Sequence, residues 1–337
     1  MKTTDQTSIA LVVTTIQAPT PAMRALMAGC IASGRRLIVV GDSRTPADFD
    51  LDGCDFLALD RQRDEGGAFA DLLPVGHYAR KNLGYLRAMK GGAEVIIETD
   101  DDNFPYDSFW LAPEREVVSP VSEGHGWVNA YRFFVEDQID IWPRGLPWSE
   151  IDRPLPGLDD LHRRAVFCPV QQGLANDDPD VDAIWRLTKA RPVTFMNDPR
   201  IALGSGSWCP FNSQNTRWFR PAFPLLYLPA SCHMRLTDIW RSFVAQRVMW
   251  ANGWHLLMHG PTMYQQRNQH DLRADIIAEF PGYAHNAEIA RRLSDLEIPA
   301  GDLGKAMLDC YELLISMGLL LAWERECLKA WLAECPS

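Results

Sequence analysis

The sequence predicts an α/β fold: a mostly parallel sheet flanked by helices, with a C-terminal helical extension. Three observations carry this expectation. A β-α-β unit is legible at the N-terminus, and a further helix–strand pair ends in Asp100-Asp101-Asp102. From about Asn286 onward, apolar residues recur at helical spacing.

Ile9 to Val13 is a short apolar, β-branched run, which suits a strand buried on both faces. Thr20-Pro21 offers an N-cap followed by proline at the first helical position. Met23, Leu26, Met27, Cys30 and Ile31 then fall on one helical face, and Gly34 supplies the stop. A second strand, Leu37 to Val40, runs into Gly41-Asp42-Ser43, and strands joined this way lie parallel. A third apolar stretch covers Asp55 to Leu59. His77 to Lys90 reads as a helix closed by Gly91-Gly92, and behind it Val95-Ile96-Ile97 leads directly to the acidic triplet. From about Phe104 to Gln214 the pattern is one of loops and short strands. A helix returns over Asp238 to Trp250, with Asp238 at its start.

Composition narrows the function. A net charge of −11 argues against a nucleic-acid surface, and it obliges any phosphate-bearing ligand to meet a metal ion or local Arg and Lys. The eight cysteines include no C-x-x-C pair, so neither a zinc site nor a disulfide framework is expected. The segment Ala306 to Trp323 contains Asp309 and Glu312, so it reads as a buried or oligomer-facing helix and not as a membrane span. The N-terminus shows no secretory pattern, and a cytoplasmic protein is expected. There is no P-loop, no G-x-S-x-G and no H-E-x-x-H. Gly204-Ser205-Gly206-Ser207 lacks the third glycine of a dinucleotide fingerprint.

The triplet is the densest chemical signal. Ligands of open parallel sheets bind beyond the carboxyl ends of the strands, where this triplet lies. Hard cations such as Mn2+ or Mg2+ take carboxylate oxygens and leave other positions to water and substrate phosphate. Asp100 and Asp102 have the D-x-D spacing for this, while Asp101 would meet ribose or a backbone group. A solvated turn or a helix cap is the alternative. An EF-hand fails, because a loop starting at Asp100 places Pro105 and Leu111 where glycine and glutamate are required.

The stretch HYARKNLGYLRAMKGGAEVIIETDDDN (77–103) resembles the glycosyltransferase-like domain of the plant STELLO proteins. It is more distantly similar to the reversibly glycosylated polypeptides, the UDP-arabinopyranose mutases. VVTTIQAPTP (12–21), DPDVDAIWRLT (178–188), CPFNSQNT (209–216) and DIWRSFVAQRVMW (238–250) support the first resemblance by occurring in the same order. It implies a GT-A-like domain over 1–285, with a nucleotide-sugar half at about 8–110 and an acceptor-facing half at about 111–285, before a helical extension at 286–337. It also implies a UDP-sugar donor, a divalent metal and transfer of the sugar to an acceptor hydroxyl.

On that reading Thr14, Thr15, Asp42 and Ser43 line base and ribose, or else serve as strand-end turns. Arg80 and Asn82 reach phosphate or sugar, or else face solvent, and Arg267 offsets diphosphate charge. Asp238 is the candidate base that deprotonates the acceptor, or else a helix cap. Asn212, Ser213, Gln214 and Asn215 would bind acceptor hydroxyls, or else form a buried loop network. His270, with His259 as the other candidate, would supply a third metal ligand. Two further readings stand beside transfer: a mutase acting on the UDP-sugar alone, and a silent sugar-nucleotide-binding scaffold. A homo-oligomer formed through the C-terminal helices is a further expectation.

Overall fold

The computed structural model describes residues 8–136, 139–189, 191–267 and 271–336. The N-terminal half opens with β1 (Ile9–Thr14), α1 (Pro21–Ser33), β2 (Arg36–Val40) and β3 (Asp55–Leu57). It continues with α2 (Gln62–Leu72), α3 (Lys81–Lys90), β4 (Val95–Thr99) and β5 (Asn103–Pro105). The apolar runs are continuous because alternate side chains enter two cores. Ala10, Val12, Ile38, Val40 and Ile96 face α3, whereas Leu11, Val13, Leu37, Val39 and Ile97 face α1. Each Val, Leu or Ile among them contributes roughly 1.5–3 kcal/mol by leaving water. The α1 boundaries are those the sequence predicts: Thr20 Oγ1 accepts from Met23 N, and Gly34 closes the helix with φ of 67°.

The chain continues through β6 (Glu116–Ser122), β7 (Gly126–Trp127), β8 (Arg163–Phe167) and β9 (Val170–Asp177). Then come α4 (Ala183–Lys189), β10 (Arg200–Leu203), β11 (Ser207–Trp208), β12 (Asn215–Phe219), α5 (Met234–Ala251) and β13 (Leu256–Gln265). The described residues form one eleven-stranded sheet in the order β3-β2-β1-β4-β12-β9-β13-β10-β6-β8, with β5 on β13. Strands β3, β2, β1 and β4 are mutually parallel. Strand β12 is inserted antiparallel between β4 and β9, and β9 and β13 run parallel. The arrangement is α/β, as the sequence predicts, with parallel pairing across β3, β2, β1 and β4 and mixed pairing beyond β4.

One interior charge fastens the halves. Glu98 of β4 is fully buried; it accepts from Arg241 Nη1 of α5 at 2.8 Å, from Trp218 Nε1 of β12 at 2.8 Å and from the Tyr85 hydroxyl of α3. Gly84 brings α3 onto the sheet: a Cβ there would stand 2.6 Å from Val12 Cγ1 and 2.7 Å from Val40 Cγ2. Gly84→Ala is therefore expected to cost about 1–3 kcal/mol, read as a lower urea midpoint with an unchanged slope.

One expectation changes. Helix α6 (Leu272–Asp295) runs unbroken through the expected 285/286 boundary. The helices α7 (Leu303–Ser316) and α8 (Glu324–Glu334) bury Met307, Cys310, Tyr311, Leu314, Leu328 and Trp331 in the same core as α3 and α5. These residues of α7 and α8 are thus covered within the chain, while Leu321 and Trp323 between the two helices stay exposed. Glu324, fully buried at the start of α8, accepts from Ala230 N at 2.9 Å and Ser231 N at 2.7 Å, tying this end to the loop before α5. No helix of the described residues is long and apolar enough to cross a membrane.

Candidate active site

Because β1, β2 and β4 are parallel, their carboxyl ends meet at one edge, and a cavity of about 570 Å³ opens there. The antiparallel β12 approaches from the other side. Its first residue, Asn215, pairs with Thr99, so the preceding Ser213-Gln214 lies beside the triplet. Strand β13 ends at the same place: Gln265 Nε2 donates to Asp102 Oδ1 at 2.9 Å. Thr14, Thr15, Asp42, Arg80, Asp100, Asp101, Asp102, Ser213, Gln214, Asp238 and Arg267 all line this cavity.

The three aspartates are held differently. Asp101 Oδ2 accepts from Thr15 Oγ1 at 2.6 Å, and its carbonyl accepts from the Thr20 hydroxyl, which pins the triplet to the β1–α1 loop. Asp100 Oδ1 accepts from Tyr78 Oη at 2.9 Å and lies 3.5 Å from Lys81 Nζ. Burial pushes the Asp100 carboxyl up to about 6, partly opposed by Lys81, while Asp102 pushes the same way as burial. Asp100 and Asp102 thus present oxygen donors in a cavity wall, a set suited to Mg2+ or Mn2+. Among the described residues no group of three or more His, Cys, Asp or Glu side chains could hold a metal ion, so the remaining ligands would fall to water and substrate.

Asp238 lies in the wall as expected, but not at a helix start. Helix α5 begins four residues earlier, at Met234, with His233 Nδ1 accepting from Arg235 N. Both oxygens of Asp238 are engaged by Arg144, at 3.0 and 2.9 Å, and Oδ2 also accepts from Ser213 N at 3.2 Å. Burial would raise this carboxyl, yet the Arg144 guanidinium overrides it and holds it below the usual range. A carboxylate so held is a weak proton acceptor, which speaks against the expected base. Arg144 also donates to Asp180 at 2.8 Å and to the Arg235 carbonyl. Nothing local in Trp142-Pro143-Arg144-Gly145 marks it, although Gly145 takes a φ of 93° there. Tyr78, inside 77–103, likewise reaches the site only through the fold, its hydroxyl bonding Asp100 and Ser213.

Other expected residues turn inward. Asn82 is fully buried and exchanges both amide bonds with Leu228, donating to its carbonyl and accepting from its N–H, each at 2.9 Å. Arg80 reaches the cavity wall, but Nε donates to Gln62 Oε1 at 2.6 Å and Nη1 to the Leu73 carbonyl at 3.0 Å, so much of its guanidinium is committed. Asp42 accepts from Gly76 N and His77 N at 2.8 and 3.0 Å, and thereby binds the β2 end to the start of α3. Ser43 is not among the residues lining the cavity. Asn212 and Asn215 form a buried network with Gln172, Tyr131, Leu174 and Thr262, which leaves Ser213 and Gln214 to the cavity. Arg267 Nη2 lies 3.6 Å from Asp275 Oδ2, and burial lowers its guanidinium to about 10.

His270 lies outside the described residues. His259 does not approach the triplet but lines a separate cleft with Tyr106 and Arg200. Its Nδ1–H donates to the Gly260 carbonyl at 2.9 Å, and burial pushes the ring down to about 3. A histidine depressed from 6.5 stabilises the fold above that value and withdraws the contribution as pH falls toward 3. His259→Gln is accordingly expected to flatten the loss of stability between pH 7 and pH 4. An equal fall in unfolding free energy for both proteins between pH 7 and pH 4 would reject this.

No family model matches the chain. Over 286 residues it is 29% identical to the probable glycosyltransferase STELLO1 of Arabidopsis thaliana, covering 77% of the chain and 36% of that protein. Over 281 residues it is 30% identical to STELLO2 of the same plant, covering 76% and 35%. The chain is STELLO-like. It spans about a third of the length of these curated relatives. Among solved structures, the STELLO-like chain superposes on Mycobacterium tuberculosis glucosyl-3-phosphoglycerate synthase with a TM-score of 0.41 at 10% identity, covering 83% of this chain and 81% of the other. Its phosphoglyceric acid complex gives 0.39 at 9%, covering 85% and 78%.

Proposed function

We propose that this chain is a glycosyltransferase that binds a nucleoside-diphosphate sugar, a UDP-sugar, in the cavity at the strand ends and passes the sugar to an acceptor hydroxyl. The observation that supports it most is convergence. Residues of the N-terminal strands, including Asp100 and Asp102, share one cavity with Ser213, Gln214, Met234 and Asp238 from the second half. A two-substrate transfer needs such a meeting of a donor wall and an acceptor wall.

In this reading Thr14 to Gln17, with Gly41 and Asp42, hold the nucleoside end. Asp100 and Asp102 hold Mn2+ or Mg2+, which would offset the charge gathering on the departing diphosphate. Arg267 adds a cation on the far wall. Met234 and Asp238 face the acceptor. With its proton affinity suppressed by Arg144, Asp238 orients the acceptor hydroxyl, and removal of that hydroxyl's proton is left to another group.

Calorimetry with UDP and a panel of UDP-sugars, with and without Mn2+, tests this. Binding that strengthens on the order of tenfold or more with Mn2+ is the expected result. Sugar nucleotides that bind equally well in EDTA would remove the metal from the reading, and none binding at all would sink it. Incubation with a bound UDP-sugar alone should leave the sugar ring unchanged; an isomerised sugar would turn the reading toward a mutase.

A further inference from the structure

Lys81, the first residue of α3, is completely buried, yet its ammonium reaches the edge of the acidic triplet. Its three N–H groups have three acceptors: Tyr78 Oη at 2.7 Å, the Thr99 carbonyl at 2.8 Å and Asp100 Oδ1 at 3.5 Å. Nζ also stands 4.9 Å from the centre of the Tyr78 ring. A buried ammonium is costly unless a charge and dipoles compensate it. The compensating charge here is Asp100, a residue the proposed function gives to the metal. The other two carboxylates are engaged as well, Asp101 by Thr15 and Asp102 by Gln265. Two other buried cations have carboxylate partners of their own, Arg241 with Glu98 in the core and Arg144 with Asp180 and Asp238 in the wall of the same cavity.

We propose that Lys81 is a resident counter-cation and positioning residue of the Asp100–Asp102 site. It balances the carboxylates while no nucleotide is bound, and it opposes a divalent ion that arrives alone. Repulsion between a fixed unit charge and a doubly charged ion a few ångströms away is substantial even in a well-screened site. An anionic diphosphate entering with the metal offsets both cations, so metal and nucleotide bind firmly only together. This rests on reading the cavity as a nucleotide-diphosphate site.

The test is Mn2+ binding to the full chain, followed by the electron paramagnetic resonance signal of the free ion, with and without UDP. Lys81→Met and Lys81→Gln are expected to bind Mn2+ without UDP on the order of tenfold more tightly than the native chain, and UDP should add correspondingly less. Tyr78→Phe, which removes a hydrogen bond but no charge, should stay within about threefold. Melting curves accompany each variant, and Lys81→Gln keeps amide donors for Tyr78 and Thr99 should Lys81→Met not fold. A folded Lys81→Gln whose Mn2+ affinity is unchanged or weaker overturns the proposal. If UDP does not increase Mn2+ binding to the native chain, the nucleotide reading itself falls. If the increase survives Lys81→Gln intact, only the role of Lys81 is lost.

Discussion

On the proposed glycosyl transfer, replacing Asp100 and Asp102 together by asparagine is expected to cut the rate about 10³-fold or more, while the protein still folds but melts at a lower temperature. The first half follows from the loss of the carboxylates that stand in the cavity wall and would hold the charge-offsetting ion; removal of even one preorganised electrostatic group costs about 10²–10³ in rate. The second half follows from Lys81, whose buried ammonium loses the charge of Asp100 and keeps only neutral acceptors, a loss partly offset because burial and the neighbouring Asp102 no longer act against an ionised Asp100. Transfer assays and melting curves on the same preparation check both halves. Retained activity would show that the carboxylates are not the metal site. Lost activity accompanied by loss of the folded state would make them structural.

The second large effect is expected at Arg144. Its guanidinium bridges Asp180 and Asp238, and all three side chains are less than a tenth exposed. Arg144→Met leaves two carboxylates buried without their shared cation, and breaking a buried pair in this way typically costs about 3–5 kcal/mol. Asp238→Asn should cost less, because Arg144 keeps Asp180 and the amide can still accept from Ser213. Urea unfolding of the two single variants and of Arg144→Met combined with Asp180→Asn gives the comparison. The combined variant is expected to recover part of the loss. A loss below about 1 kcal/mol for Arg144→Met would show that the bridge does not hold the acceptor wall together.

What could be read in advance was local. Strands β1, β2 and β4 declare themselves because both faces are covered, so every residue of the run is apolar. Helix α1 is bounded by Thr20, Pro21 and Gly34, which act within a few residues of themselves. Helix α2 is not legible because Gly66-Gly67 interrupts it, and Gly67 takes a non-helical φ of 49°. Strands β9 and β12 are not legible because Gln171, Gln172, Asn215 and Thr216 are polar; each is buried with its polar atoms bonded, Gln172 to Thr216 and the Asn215 carbonyl, Asn215 to Leu174 and Thr262, and Gln171 to the Glu114 and Cys168 carbonyls.

The sequence alone determined the α/β class, the parallel N-terminal strands, the placing of Asp100, Asp101 and Asp102 at a strand end and the STELLO-like likeness, since each is written in neighbouring residues. Only the tertiary structure decided which side chains face that triplet. Arg144 meets Asp238 across 94 residues, and Gln265 meets Asp102 across 163. Those partners are set by how β12, α5 and β13 return to one sheet edge, and no local pattern records a return of that length. The same long-range packing turned Asn82, Asn212 and Asn215 inward and left Asp238 held by a cation.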